Sequence, residues 1–212
     1  MKIHTFEQGS PEWFMGRLGI PTASRFDEIM TPKQLKPVKD GGLKYMGRLM
    51  AEWYGNQPVE DWSNSIVERG TGLEDDGRRW YSLVRDVDVQ QVGFLTRDDG
   101  KVGGSPDGLV GTEGVLEIKN YMVVNQWCTL LGQPHEHIGQ IQGYLYLTDR
   151  AWCDLCCYNP EHPSEVIRVD RDENWQKAFV PILDEFIGRM DEAKKKYAEG
   201  RILRPWMIEG LS

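Results

Sequence analysis

No apolar run in this 212-residue chain approaches the roughly 20 residues that a membrane-spanning helix needs. The N-terminal MKIHTFEQGS lacks the apolar core of a signal peptide. Cysteine is scarce, with four in all and none before Cys128. Cys153, Cys156 and Cys157 lie in the apolar, strand-like run WCDLCCY and read as small buried hydrophobes. A zinc site would want paired Cys or His elsewhere, which the downstream His162 alone does not supply. Reduced thiols without a leader point to the cytoplasm. An excess of positive charge is also missing: 25 Lys and Arg face 33 Asp and Glu, a net charge of −8. That balance argues against a protein that coats nucleic acid by broad positive charge. With no internal repeat and no dividing linker, residues 1–212 read as a single domain of ordinary globular composition.

Local signals give a mixed α/β order. Ser10 followed by Pro11 opens a short helix that ends at Arg17 and Leu18, before Gly19. Thr22 starts a second, running to about Met30. Residues 31–42 are rich in Pro, Lys and Gly and read as a mobile loop. Helical spacing predicts helices over Leu43–Tyr54, Ile66–Val84, Met122–Leu131, His135–Leu147 and Glu173–Glu199. Strands are predicted at Val87–Leu95, Lys101–Gly104, Gly108–Val110, Val115–Lys119, Trp152–Tyr158 and Val166–Val169. The outcome is a mostly antiparallel or mixed central sheet flanked by helices. Charge is uneven along this order. Lys33, Lys36, Lys39, Lys44 and Arg48 form a basic segment interrupted only by Asp40, a candidate surface for duplex DNA.

The chemistry concentrates in residues 103–119, GGSPDGLVGTEGVLEIK. Asp107 stands at a strand end fixed by Pro106 and freed by Gly108. Side chains alternate along Leu116–Glu117–Ile118–Lys119, so Glu117 and Lys119 share a face while Ile118 enters the core. The acid and the ammonium are then ~7 Å apart at Cα, given a strand rise of ~3.3 Å per residue. Glu-x-Lys alone could be the solvent face of a hairpin. Joined to Ser-Pro-Asp-Gly, it describes a site for Mg²⁺, which takes hard oxygen ligands, waters and a phosphate oxygen. The Ile118 carbonyl offers a further oxygen ligand. A metal and a lysine together can generate a nucleophile and stabilise a phosphorane-like transition state.

S-P-D-G followed by E-I-K resembles the PD-(D/E)XK nuclease signature. The surrounding residues narrow the resemblance to the lambda-type exonucleases, the YqaJ-like viral recombinases. R-L-G at Arg17–Gly19, T-A-S at Thr22–Ser24, R-G-x-x-x-E at Arg69–Glu74 and G-Q-I-Q-G-Y at Gly139–Tyr144 fall in the family's order. The match covers roughly Gly9 to Ala193.

This resemblance implies a restriction-endonuclease-like core with Asp107, Glu117, Lys119, Glu74 and Gln140 as catalytic residues. Asp107, Glu117, Glu74 and Ile118 would hold Mg²⁺, with Mn²⁺ as a substitute and two ions per site. Tyr144, one helical turn after Gln140, reads as its brace. Arg17, Ser24 and Ser105 match a pocket for the terminal 5′-phosphate, a task suited to a guanidinium fork and two hydroxyls. Trp13 also matches a family position but reads as a core aromatic. The implied activity is ATP-independent 5′-to-3′ digestion of double-stranded DNA, releasing mononucleotides and leaving 3′ overhangs. A ring-shaped homotrimer and a single-strand annealing protein are the implied partners, in a bacterial host of a phage or prophage.

Two alternatives stay open at this point. One is an endonuclease of the same superfamily, which would not need the end pocket. The other is a DNA-binding module that has lost catalysis, against which speaks the retention of costly charged residues at Asp107, Glu117 and Lys119. A relative built around an iron–sulfur cluster would need a cysteine near the N-terminus, and none precedes Cys128.

Overall fold

A computed structural model of the protein describes residues 1–59, 64–121, 123–132 and 135–200. The expected Met122 helix start and the Arg69 side chain fall outside what is described. In chain order the elements are β1 (Lys2–His4), α1 (Pro11–Arg17), β2 (Met30–Thr31), β3 (Lys36–Pro37), α2 (Leu43–Gly55), α3 (Asn64–Arg85), β4 (Val89–Gln90) and β5 (Phe94–Thr96). They continue with β6 (Gly103–Gly104), β7 (Gly108–Val110), β8 (Gly114–Lys119), α4 (Val123–Gly132), α5 (Ile138–Thr148), β9 (Trp152–Cys157), β10 (Glu165–Asp170) and α6 (Glu173–Tyr197). Among the described residues no helix is long and apolar enough to cross a membrane.

A five-stranded sheet runs β10-β9-β8-β7-β4, and a three-stranded sheet runs β1-β5-β6. Pairing in both is antiparallel except between β8 and β9, which run parallel with Lys119 opposite Cys157. A parallel pair needs a crossover. Here α4 and α5 supply it, which carries α5 back across the sheet beside the end of β8. The apolar faces of α2, α5 and α6 cover one side, with Trp175, Phe179, Leu183 and Phe186 buried against Val115, Leu155 and Ile141. On the other side Tyr81 of α3 joins Leu116, Ile118 and Cys156. The alternation expected of β8 is therefore present: Leu116 and Ile118 enter one core layer and Val115 the other.

Several boundaries differ from the expectation. The single strand over Val87–Leu95 is two, in different sheets, broken at Gly93. A Cβ at Gly93 would stand 1.9 Å from the Phe6 carbonyl oxygen, so the chain crosses there only because glycine has no side chain. The loop over 31–42 contains the β2–β3 hairpin, closed by the Leu35 amide donating to the Thr31 carbonyl at 2.9 Å. The expected helix from Thr22 is a 3-10 turn, Ala23–Glu28, with Arg25 outside helical angles. Strand β1, too short for a periodic signal, was not anticipated. Cys153, Cys156 and Cys157 are buried and unbridged, as expected, while Cys128 is exposed.

Helix α5 lies directly against the Ala23–Glu28 turn. A Cβ on Gly143 would approach the Phe26 ring to 2.5 Å. Gly143→Val should therefore cost about 1–3 kcal/mol through overpacking, despite valine's better helix propensity. Urea unfolding measures this, and unchanged stability would contradict the close seating of α5.

Candidate active site

The Ser105–Pro106–Asp107 segment is the passage from β6 of the small sheet to β7 of the large one. Its aim is fixed at both ends of Asp107. The Asp107 amide donates to the Leu116 carbonyl at 3.1 Å, and Asp107 Oδ2 accepts from the Ile118 amide at 2.6 Å. The carboxylate thus takes the backbone donor of the strand that carries Glu117. Arg78 Nε donates to the Asp107 carbonyl at 3.1 Å while its Nη1 pairs with Asp75. No local feature of the sequence marks Arg78 for this contact.

Glu117 and Lys119 share one face of β8, as the period of two requires. Lys119 Nζ lies 2.6 Å from Glu117 Oε1 and 3.3 Å from Gln140 Oε1. Gln140, from α5, donates through Nε2 to Glu117 Oε1 at 2.6 Å and to the Tyr144 hydroxyl at 2.8 Å. Tyr144 in turn donates to the Ser105 carbonyl at 3.1 Å. One continuous network therefore links α5, β8 and the Ser-Pro-Asp turn, and Tyr144 braces Gln140 as expected. Asp107 is 6% exposed and Glu117 3%, so these charges are out of reach of bulk screening.

The electrostatics are those of a site short of positive charge. Burial first, then the charges of Glu117 and Glu74, raise the Asp107 pKa well above the ordinary carboxylate value. Glu74, on α3, is raised by burial and by Glu117. For Lys119 burial works to lower the pKa, but Glu117 and Asp107 outweigh it and hold the ammonium above its ordinary value. His137, just ahead of α5 and in contact with Tyr121, is pushed down to about 4 by burial and by the Lys119 charge.

Glu117 Oε2 is buried and has no hydrogen-bond partner. A buried anionic oxygen without a donor is costly, and a divalent cation satisfies it. The residues present fit Mg²⁺: two buried carboxylates offer hard oxygens, with room in its octahedral shell for waters and a phosphate oxygen. Among the described residues no three His, Cys, Asp or Glu side chains stand close enough to cage an ion unaided. Glu74 is felt through its charge and is not part of a closed cage.

The second cluster surrounds Arg17, at the end of α1. Its Nη1 donates to Ser105 Oγ at 2.9 Å, and its guanidinium lies 4.1 Å from the Trp13 ring centroid. Trp13 is not a plain core aromatic. It is half-buried, and its Nε1 donates to Ser105 Oγ at 2.9 Å and to the Gly93 carbonyl at 3.3 Å. The spacing of four between Trp13 and Arg17 on one helix face was the signal that could have shown this pairing. A parallel bridge between Thr22 and Gly103 ties the Thr22–Ser24 stretch to the same turn. Ser24 lines a cleft with Arg17 and Arg48. Lys33, Lys36, Lys39 and Lys44 are exposed around the β2–β3 hairpin and the start of α2, and none of them lines that cleft.

The profile of the YqaJ-like viral recombinase domain matches residues 12–151. The chain belongs to that family. The matched span contains both clusters. Among solved structures, the alkaline exonuclease LHK-Exo from Laribacter hongkongensis is 29% identical with a TM-score of 0.71, covering 90% of this chain and 99% of that one. The same enzyme in complex with dAMP gives 30% identity and a TM-score of 0.72, with the same coverage. A phage related exonuclease from Haemophilus somnus 129PT shares the fold at 11% identity, with a TM-score of 0.64 and coverage of 84% and 96%. No curated protein matches the chain. The mixed α/β fold expected from the sequence is the fold of these exonucleases.

The raised pKa values make this YqaJ-like site a stability liability. The folded state holds the Asp107 proton more tightly than the unfolded chain does, so ionisation in the folded protein opposes folding. The contribution of these two groups to the stability of the ion-free protein is fully present below the ordinary carboxylate pKa and is lost as pH rises through the raised Asp107 and Glu74 values. Asp107→Asn can still accept from Ile118 but cannot ionise. In EDTA it should melt above the wild type at about pH 8, with the gap closing toward about pH 4. A wild type at least as stable as the variant at alkaline pH would contradict the charge deficit.

Proposed function

We propose that this protein is a Mg²⁺-dependent, ATP-independent exonuclease. It degrades the 5′-ended strand of linear duplex DNA toward 3′, releasing mononucleotides and leaving 3′ overhangs. The observation that carries the reading is the buried, partnerless Glu117 Oε2 beside Asp107 and Lys119. Membership of the YqaJ-like family and the fold shared with LHK-Exo support it. Crystallisation of LHK-Exo with dAMP supports mononucleotide release here.

In this reading Asp107, Glu117 and the Ile118 carbonyl would hold the cation, with Glu74 contributing its charge to the site; once bound, the ion would supply Lewis acidity at the scissile phosphate and an activated water. Lys119 acts as an ammonium, kept charged by Glu117 and Asp107, and offsets the negative charge that develops on the phosphate oxygens. Gln140, clamped between Glu117, Lys119 and Tyr144, orients the phosphate or the water. Arg17, Ser24 and Ser105 bind the terminal 5′-phosphate. Ser105 is two residues from Asp107 on one turn. End recognition and cleavage are then a fixed distance apart, which favours removal of one nucleotide at a time. The protein works as a homotrimeric ring beside a single-strand annealing protein, in the cytoplasm of a host bacterium; the family resemblance supports this. A closed ring needs only a narrow basic lining, such as Lys33, Lys36, Lys39 and Lys44, which reconciles DNA binding with a net charge of −8.

Digestion of linear duplex labelled at either 5′ or 3′ end, beside covalently closed circles, tests the reading. With Mg²⁺ the 5′ label should leave first as mononucleotide while closed circles survive, and EDTA should stop the reaction. Lys119→Ala should lose at least ~10²-fold in rate and Asp107→Ala all metal-dependent cleavage, with both still folded. Cut circles would establish an endonuclease instead. Full activity of Asp107→Ala would remove the site assignment.

A further inference from the structure

The cleft beside Arg17 has a volume of about 80 Å³, and its polar lining is Arg17, Thr22, Ser24, Arg25, Arg48 and Glu52. Three of these are guanidiniums, contributed by three separate segments: α1, the 3-10 turn and α2. Arg25 Nη1 lies 2.5 Å from Glu28 Oε1, so part of its charge is shared. Arg17 Nη1 is engaged by Ser105. Glu52 accepts from the Gly19 amide at 3.2 Å, which anchors that carboxylate and holds the turn that follows Arg17. Tyr45 lines the cleft as well, its hydroxyl accepting from the Thr22 amide at 2.9 Å. Among the described lining residues three arginines face one acid, Glu52. Phe14 and Leu49 provide apolar wall, which lowers the local dielectric and strengthens any ion pair formed inside.

We infer that Arg48, on α2 and facing the same cleft as Arg17 and Ser24, is a specificity-determining residue that grips the terminal 5′-phosphate of the DNA. This rests on the reading of Arg17 and Ser24 as the end pocket, and it moves Arg48 from the duplex-contacting basic segment into that pocket. A terminal phosphomonoester carries about −1.5 to −2 charges at neutral pH, whereas an internal phosphodiester carries a single one. A second fork from α2 adds more attraction to the former than to the latter. It also suits arginine, whose planar donors match phosphate oxygens in pairs, better than lysine. Arg25, tied to Glu28, supports the pocket's charge from the side.

The test is binding of 5′-phosphorylated and 5′-hydroxyl duplexes in EDTA, so that no cleavage is involved. Fluorescence anisotropy gives the affinity ratio for wild type, Arg48→Gln, Arg48→Lys and Arg17→Ala. Arg48→Gln should lower the preference for the phosphorylated end by roughly 10-fold or more, with hydroxyl-end affinity changed by less than about 2-fold. Arg48→Lys should restore only part of the preference. An equal loss of affinity for both ends would return Arg48 to general DNA contact and overturn the proposal. A preference intact in both Arg48 variants but lost in Arg17→Ala would overturn the role of Arg48 while leaving the end pocket standing. A preference unchanged in every variant would reject the pocket itself. Thermal melting confirms that each variant is folded, and Arg48→Lys serves if Arg48→Gln is not.

Discussion

A carboxylate buried with one oxygen saturated and the other bare is the constraint around which this molecule is built. Glu117 Oε1 receives both Lys119 and Gln140, while Oε2 receives nothing. Bringing a second acid, Asp107, into the same low-dielectric space compounds the cost, because neighbouring like charges interact strongly once water is removed. The fold supplies what holds them there. The Ser-Pro-Asp turn is locked between two sheets, the Ile118 amide clasps Asp107, and the β8–β9 crossover presses α5 and Gln140 onto the acid.

A third buried carboxylate, on the neighbouring strand, is held differently. Asp154 on β9 is fully buried, yet it accepts from the Tyr81 hydroxyl at 2.8 Å and from Arg168 Nε and Nη2 at 2.8 and 2.9 Å. Arg168 itself lies over the Trp152 ring. Asp154 has donors on both oxygens and serves to join α3, β9 and β10. Asp154 is satisfied on both oxygens, whereas Glu117 keeps one oxygen bare beside a second buried acid, Asp107. Asp27 Oδ1 is bare as well, so it is the pairing of Glu117 with Asp107 and Lys119, and not a bare oxygen alone, that supports the proposed role of this site.

How much of this the sequence revealed depends on the range of the interaction. The shared face of Glu117 and Lys119 and the inward Ile118 follow from a period of two, and the pairing of Tyr144 with Gln140 from a helical turn, although Gln140 itself was marked by family resemblance. Glu74 could be singled out only through family resemblance, since an acid next to Asp75 and Asp76 carries no local mark. The strand break at Gly93 depends on the distant Phe6 backbone. The hairpin within 31–42 is made of two-residue strands that leave no periodic trace. Trp13 was mistaken for core because its partners, Ser105 and Gly93, are remote in sequence. Arg48 looked like one more member of a basic run, and only the packing of α2 beside α1 brings it to the Arg17 cleft.

The proposed chemistry depends on the bare Glu117 oxygen being an ion ligand. A crystal of the protein soaked in Mn²⁺, with anomalous data collected at the manganese edge, answers this most directly. The expected result is a peak at inner-sphere distance, ~2.0–2.2 Å, from Glu117 Oε2 and from an Asp107 oxygen. Density showing Glu117 Oε2 turned onto a protein or water donor, with no anomalous peak between the two carboxylates, would contradict it.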